Sequence, residues 1–64
     1  MNSGELVRHL RACGCTLLRE GKKHSIWVNT ANGKTSPVPR HPTVDRGIAR
    51  KVCRELGIPN PPGV

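Results

Sequence analysis

The sequence of 64 residues has few aromatic side chains, few acidic side chains and no long apolar run. Trp27 is its one aromatic residue, and Tyr and Phe are absent. Single-stranded nucleic acid is usually read with several stacking rings, so a lone Trp is weak support for that mode. No stretch approaches the ~18 apolar residues of a membrane span, and no apolar block precedes Arg8. We therefore expect neither a membrane helix nor a signal peptide.

The three cysteines fit neither a disulfide framework nor a usual zinc site. Cys13 and Cys15 are too close for an ordinary disulfide, and they lack the two-residue separation of zinc ribbons and redox motifs. Adding His9 and His41 would supply enough zinc ligands, but the spacing matches no common pattern. We expect no metal and no cofactor, buried packing for Cys13 and Cys53, and a reducing cytoplasm.

Basic residues far outnumber acidic residues in the sequence. Eleven Lys and Arg stand against four Asp and Glu, giving a net charge of +7 and a pI near 10.4. At 34% hydrophobic residues the chain is apolar enough to fold as one small domain with a thin core. Such a surface favours polyanions, which are nucleic acid, acidic lipid or acidic protein.

Local signals predict a short first helix. Ser3 is the expected N-cap, and Leu6, Leu10 and Cys13 recur at helical spacing on one face. Gly14 suits the left-handed position just beyond the helix end.

Three strands should follow the first helix. Residues 15–20 and 24–29 are strand-like and flank a basic turn, and Asn32-Gly33 is a strong hairpin signal before a strand at about 34–38. Pro37 predicts that this third strand is short or lies at an edge. Alternation puts His24 with Ile26 and Val28 on the presumed core face and Trp27 on the outer face.

A second amphipathic helix closes the domain. Asp45 is the preferred N-cap, and Gly57 ends the helix. Its apolar stripe consists of Ile48, Ala49, Val52, Cys53 and Leu56. The order predicts an α+β domain over residues 1–58, with both helices on one face of a three-stranded antiparallel sheet and a flexible tail at 59–64.

Four stretches in this order resemble the HicA toxin family of toxin–antitoxin pairs. They are the turn at Gly14, the Arg19–His24 turn, the Val38–His41 segment and the Leu56–Pro59 helix end, and they span nearly the whole chain. Two positions depart from the family pattern. Two lysines replace the usual single Ser between Gly21 and the histidine, and Cys15 stands where an aromatic residue is common.

The resemblance implies a fold like the double-stranded-RNA-binding domain and endonucleolytic cleavage of mRNA. It also implies one essential histidine, which maps onto His24, and a neutralising HicB-type antitoxin. From the residues alone, a strand-end histidine is more often buried against backbone. The resemblance instead favours His24 as the catalytic base that takes a proton from the 2′-hydroxyl of RNA.

The residues beside this histidine are candidates for binding RNA phosphates. Lys22, Lys23 and Arg19 precede it in sequence. Arg40 and His41 lie in the connector after the third strand, where His41 is either a proton donor, a phosphate contact or a residue that orders the loop. Trp27 would stack a base if it lay outside, although packing against a neighbour is the more common role.

Two other functions remain open from the sequence. The charge and the sheet alone would suit a basic RNA-binding module without catalysis. The spacing of Arg46, Arg50 and Arg54 forms a stripe on the second helix that would suit phosphate contacts, a solvated face or DNA reading. A DNA reader is the least favoured, because a helix-turn-helix has no place for three consecutive strands.

Overall fold

Two helices flank three strands along the chain, as predicted. The computed structural model describes all 64 residues. The elements are α1 (Ser3–Ala12), β1 (Cys15–Glu20), β2 (His24–Asn29), β3 (Thr35–Pro39) and α2 (Arg46–Leu56). The arrangement is α+β and is consistent with the double-stranded-RNA-binding-domain fold. Neither helix has the length and apolarity needed to cross a membrane.

Local capping explains where the helices begin and end. Asn2, rather than the predicted Ser3, caps α1, because its Oδ1 accepts a hydrogen bond from the N–H of Glu5 at 2.7 Å. Asp45 caps α2 as predicted. Gly57 ends α2 with a left-handed φ of +71°, and the N–H of Ile58 then bonds Cys53 O.

The sheet is antiparallel in the order β1-β2-β3. β3 is an edge strand, which accommodates Pro37 opposite Ile26 and Pro39 opposite His24. Between these pairs, Val38 faces Ser25, and Arg40 N–H donates to Lys23 O at 3.2 Å. Alternation along the strand therefore turns both proline nitrogens away from β2, where no hydrogen-bond donor is needed.

The prediction for the two faces of β2 was wrong. Trp27 is only 4% exposed and belongs to the core, whereas Ile26 and Val28 are partly exposed on the opposite face with His24. The Trp ring offers more apolar area than either aliphatic side chain, so its burial dominates at about 25 cal/mol per Å². Trp27 is therefore not available to stack on RNA at the outer face of the sheet.

Both helices cover the Trp27 face of the sheet. The buried apolar cluster is Leu6, Leu10, Cys15, Trp27, Val38, Val44, Ala49, Val52, Cys53 and Leu56. Asn29 is also buried, and its Nδ2 donates to Leu56 O at 2.8 Å. This bond satisfies a carbonyl at the end of α2 and fixes the helix against the β2–β3 turn.

The chain after α2 runs back along α1. Pro61 is buried, Val64 packs against the core, and His9 Nε2 lies 2.8 Å from Pro59 O. These contacts attach the segment at three points. The boundary at residue 58 and the flexibility of residues 59–64 stay predictions.

Candidate functional site

A cleft lined only by cationic and imidazole side chains lies where the β1–β2 turn meets the exit of β3. Four of the predicted RNA-binding residues come together there: Lys22, Lys23, Arg40 and His41. The cavity has a volume of about 330 Å³, and all four residues are exposed. We call it the basic cleft. Because nothing acidic lines it, its field attracts phosphate.

Tertiary hydrogen bonds hold the two halves of the basic cleft together. Arg40 Nη1 donates to Gly21 O at 2.8 Å, and Arg40 N–H donates to Lys23 O at 3.2 Å. The turn itself closes with Gly21 N–H donating to His24 O at 2.8 Å. A Cβ on Gly21 would lie 2.8 Å from His24 O, so this close approach requires glycine.

His24 stands at the first position of β2, next to the basic cleft. It is exposed rather than buried against backbone, and it pairs with Pro39 across the β2–β3 ladder. The expectation that it shares the core face is thus overturned. It has the solvent access that a proton-transferring group needs.

His24 lines a separate cavity between β3 and α2. This cavity, the β3–α2 groove, has a volume of about 160 Å³. Its walls include His24, Pro37, Pro39, Ile48, Lys51 and Glu55. The sequence pattern did not single out Lys51 and Glu55 as partners of His24, although their spacing of four residues on α2 already placed them on one flank of that helix.

A buried hydroxyl fixes the carboxylate of this groove. Ser36 is fully buried on β3, and its Oγ donates to Glu55 Oε1 at 2.9 Å. A hydrogen bond to a charged acceptor is stronger than a neutral one, so the Glu55 carboxylate is anchored at the groove wall. Its second oxygen, Oε2, is not used by this bond.

A β-bulge brings Arg19 to the same face of the sheet as His24. The register shifts between Leu17, which pairs with Trp27, and Arg19, which pairs with Ile26. In a regular strand Arg19 would share the core face with Leu17, two residues before it, but the bulge at Leu18 turns Arg19 to the opposite face. Arg19 lines neither the basic cleft nor the β3–α2 groove. It lies instead on the neighbouring strand, diagonal to His24.

A model of the family described as the HicA toxin of bacterial toxin–antitoxin systems matches residues 3–58. The chain belongs to the HicA toxin family. The match includes both helices, all three strands and every residue of the basic cleft and the β3–α2 groove described above. Comparisons with curated proteins and with solved structures gave no significant match.

The three cysteines of this HicA-family chain are free thiols. Burial, with a smaller contribution from Cys13, raises the pKa of Cys15 and raises that of Cys53 to about 11. Cys13 Sγ lies 3.7 Å from His9 Nε2. No group of three or more His, Cys, Asp or Glu side chains is close enough to hold a metal ion.

The arginine stripe of α2 lies apart from the two cavities. Arg46, Arg50 and Arg54 are all exposed. At 100° per residue Arg46 and Arg50 lie about 100° to 180° around α2 from Lys51 and Glu55, whereas Arg54 is only about 60° from Lys51. A phosphate held by Arg46 and Arg50 would therefore lie away from the groove that His24 lines.

Proposed function

We propose that this HicA-family protein is a metal-independent endoribonuclease that cleaves mRNA in the cytoplasm. The observation that supports it most strongly is the position of His24. An exposed imidazole stands at the first position of β2, directly after Lys23 of the basic cleft, and lines the β3–α2 groove. This arrangement can hold a phosphate and exchange a proton within one small area.

The proposed reaction uses the nucleophile that RNA itself carries. His24 takes the proton from a 2′-hydroxyl, and that oxygen forms a bond to the adjacent phosphorus. The bond from phosphorus to the 5′-oxygen breaks, and the leaving oxygen takes a proton from His41 or from solvent. The products are a 2′,3′-cyclic phosphate and a 5′-hydroxyl end, and no metal-bound water is required.

The cations around His24 stabilise the charge that develops on the phosphate. Lys22, Lys23 and Arg40 act as donors from the basic cleft. Arg19 approaches from β1 on the same face of the sheet as His24. His41 contacts the RNA in the basic cleft and is the second histidine of the site.

Membership of a toxin–antitoxin family implies an antitoxin partner for this chain. We propose a HicB-type protein that places carboxylates over Lys22, Lys23 and His24. Such a partner would cover the exposed imidazole and neutralise the basic cleft, so that RNA is excluded both sterically and electrostatically. Co-expression with the neighbouring open reading frame should yield a complex that loses affinity as salt rises.

The direct test is cleavage of a defined mRNA in excess EDTA, with His24→Ala as the comparison. We expect the parent protein to cut and to leave 2′,3′-cyclic phosphate ends, and the variant to bind RNA without cutting it. Placing a 2′-deoxy nucleotide at a mapped cut should abolish cleavage at that bond alone. Binding without cleavage by the parent protein would instead favour a non-catalytic RNA-binding module.

A further inference from the structure

The β3–α2 groove has a composition that phosphate binding does not require. Ile48 is 39% exposed and is one of three large apolar side chains left open to solvent. It faces Pro37 and Pro39 across the groove, so the walls are largely apolar. Apolar walls beside a proposed phosphate site suit the faces of a nucleotide base.

Glu55 is out of place on a surface that binds polyanions. It is one of four acidic residues in the chain, and it is the one carboxylate that lines this groove. A carboxylate near His24 repels phosphate, yet the bond from Ser36 keeps it there. A fixed acceptor beside the proposed phosphate site is placed to accept a hydrogen bond from another part of the RNA.

Bases differ in what they offer to such an acceptor. Cytosine, adenine and guanine each carry an exocyclic amino group, whereas uracil has none. Glu55 Oε2 can accept from an amino group while Oε1 stays bonded to Ser36. Lys51, one helical turn earlier on the same wall, supplies a cation for the adjoining phosphate.

We propose that the β3–α2 groove is the subsite for the base next to the cleaved phosphate, and that Glu55 makes it select bases with an exocyclic amino group. The inference rests on the proposed function, because His24 marks where the cleaved phosphate lies. It goes beyond that function by assigning sequence preference to a residue of α2. The basic cleft then holds the backbone of any RNA, and the groove reads one base.

The test uses 2′-O-methyl tetranucleotides, which lack the nucleophile and so report binding without cleavage. The sequences are UUXU, with X as A, C, G or U, and backbone amide NMR shifts of the parent protein report the site. We expect shifts at Ile48, Lys51 and Glu55, and binding at least about fivefold tighter for some amino-bearing X than for U. In Glu55→Gln, whose amide oxygen can still accept from Ser36, this preference should fall to about twofold or less.

Glu5→Gln on α1 is the matched control, because it changes the net charge equally but lies outside the groove. This variant should prefer amino-bearing X over U as strongly as the parent protein does. Equal binding of all four tetranucleotides to the parent protein would overturn the proposal. Amide NMR shifts confined to residues 21–24 would also overturn it, as would an unchanged preference for amino-bearing X over U in Glu55→Gln. Base-selective binding by a protein that cuts no RNA would refute the proposed catalysis and leave the subsite standing. Cleavage of RNA by a protein that binds all four tetranucleotides equally would refute the base subsite and leave the proposed catalysis standing.

Discussion

The basic cleft and the β3–α2 groove differ in composition, although His24 lines the groove and directly follows Lys23 of the cleft. The cleft lies on two connecting segments and presents Lys22, Lys23, Arg40 and His41 without an acid. The groove lies between a strand and a helix, with apolar walls and one anchored carboxylate. Phosphates are identical along a chain, so a cleft of cations can position RNA but cannot distinguish sequences. Under our proposal, discrimination comes from the groove.

The largest effect should separate the two histidines. His24→Ala is expected to lower the cleavage rate by about 100-fold or more, the range for loss of a general base. His41→Ala should lower it by about tenfold or less, because His41 shares the cleft with three cations. Single-turnover cleavage at saturating protein measures both, and circular dichroism checks the fold. A larger loss in His41→Ala than in His24→Ala would transfer the chemistry into the basic cleft.

The next prediction concerns the affinity for RNA and tests whether the basic cleft contributes more to binding than the other cationic surfaces do. Replacing Lys22 and Lys23 together by Ala should reduce the salt dependence of single-stranded RNA binding by about 0.7 in log–log slope for each lysine. The weakening should be the same for all RNA sequences. The matched pair is Arg46→Ala with Arg50→Ala, which removes equal charge from the part of α2 that faces away from Lys51 and Glu55. If that pair changes the salt-dependence slope as much as the two lysine substitutions do, the basic cleft binds RNA no more strongly than the rest of the cationic surface.

A smaller effect should distinguish charge from geometry within the basic cleft. Arg40→Lys keeps the positive charge but loses the guanidinium donor that bonds Gly21 O at 2.8 Å. We expect the salt dependence of binding to stay near that of the parent while cleavage falls by about threefold to tenfold, because the turn before His24 is less well positioned. An unchanged cleavage rate would show that Arg40 acts only as a charge. Lys34→Arg on the β2–β3 turn is a conservative control for the exchange of these side chains.

Local signals were sufficient to predict the elements. β1 and β2 have the predicted bounds, and β3 begins one residue later than expected at its hairpin turn. Asp45, Gly14 and Gly57 have the predicted roles, the two glycines with φ of +85° and +71°. Caps and turns depend on one or two residues and their own backbone angles, so they can be read without knowing the rest of the fold.

Features that depend on tertiary contacts could not be predicted in the same way. The period-two pattern of β2 is symmetric, so it cannot show that the helices cover Trp27 rather than Ile26. The amino-acid sequence of β1 gives no sign of a bulge at Leu18, and this bulge determines which face of the sheet Arg19 lies on. Glu55 faces His24 only because α2 docks beside β3. The sequence therefore located the basic turn but not the groove beside it.

The smallest predicted effect sets the pH range in which the cleft and the groove can be compared. Burial raises the pKa of Cys53 to about 11, against a usual value of 9.0. The unfolded chain loses this proton above about pH 9 and the folded chain keeps it, so stability is full below pH 9 and falls as pH rises toward 11. Between pH 8 and 10 we expect this thiol to lower the free energy of unfolding by about 1 kcal/mol. Urea unfolding at pH 8 and pH 10 measures this decline in the free energy of unfolding. The part due to the thiol should be missing in Cys53→Ala. It should be retained in Val52→Ala, which also opens a core cavity but keeps the thiol. An equal decline in all three proteins would show that Cys53 does not contribute and that the loss of stability comes from other groups, the buried Cys15 thiol among them.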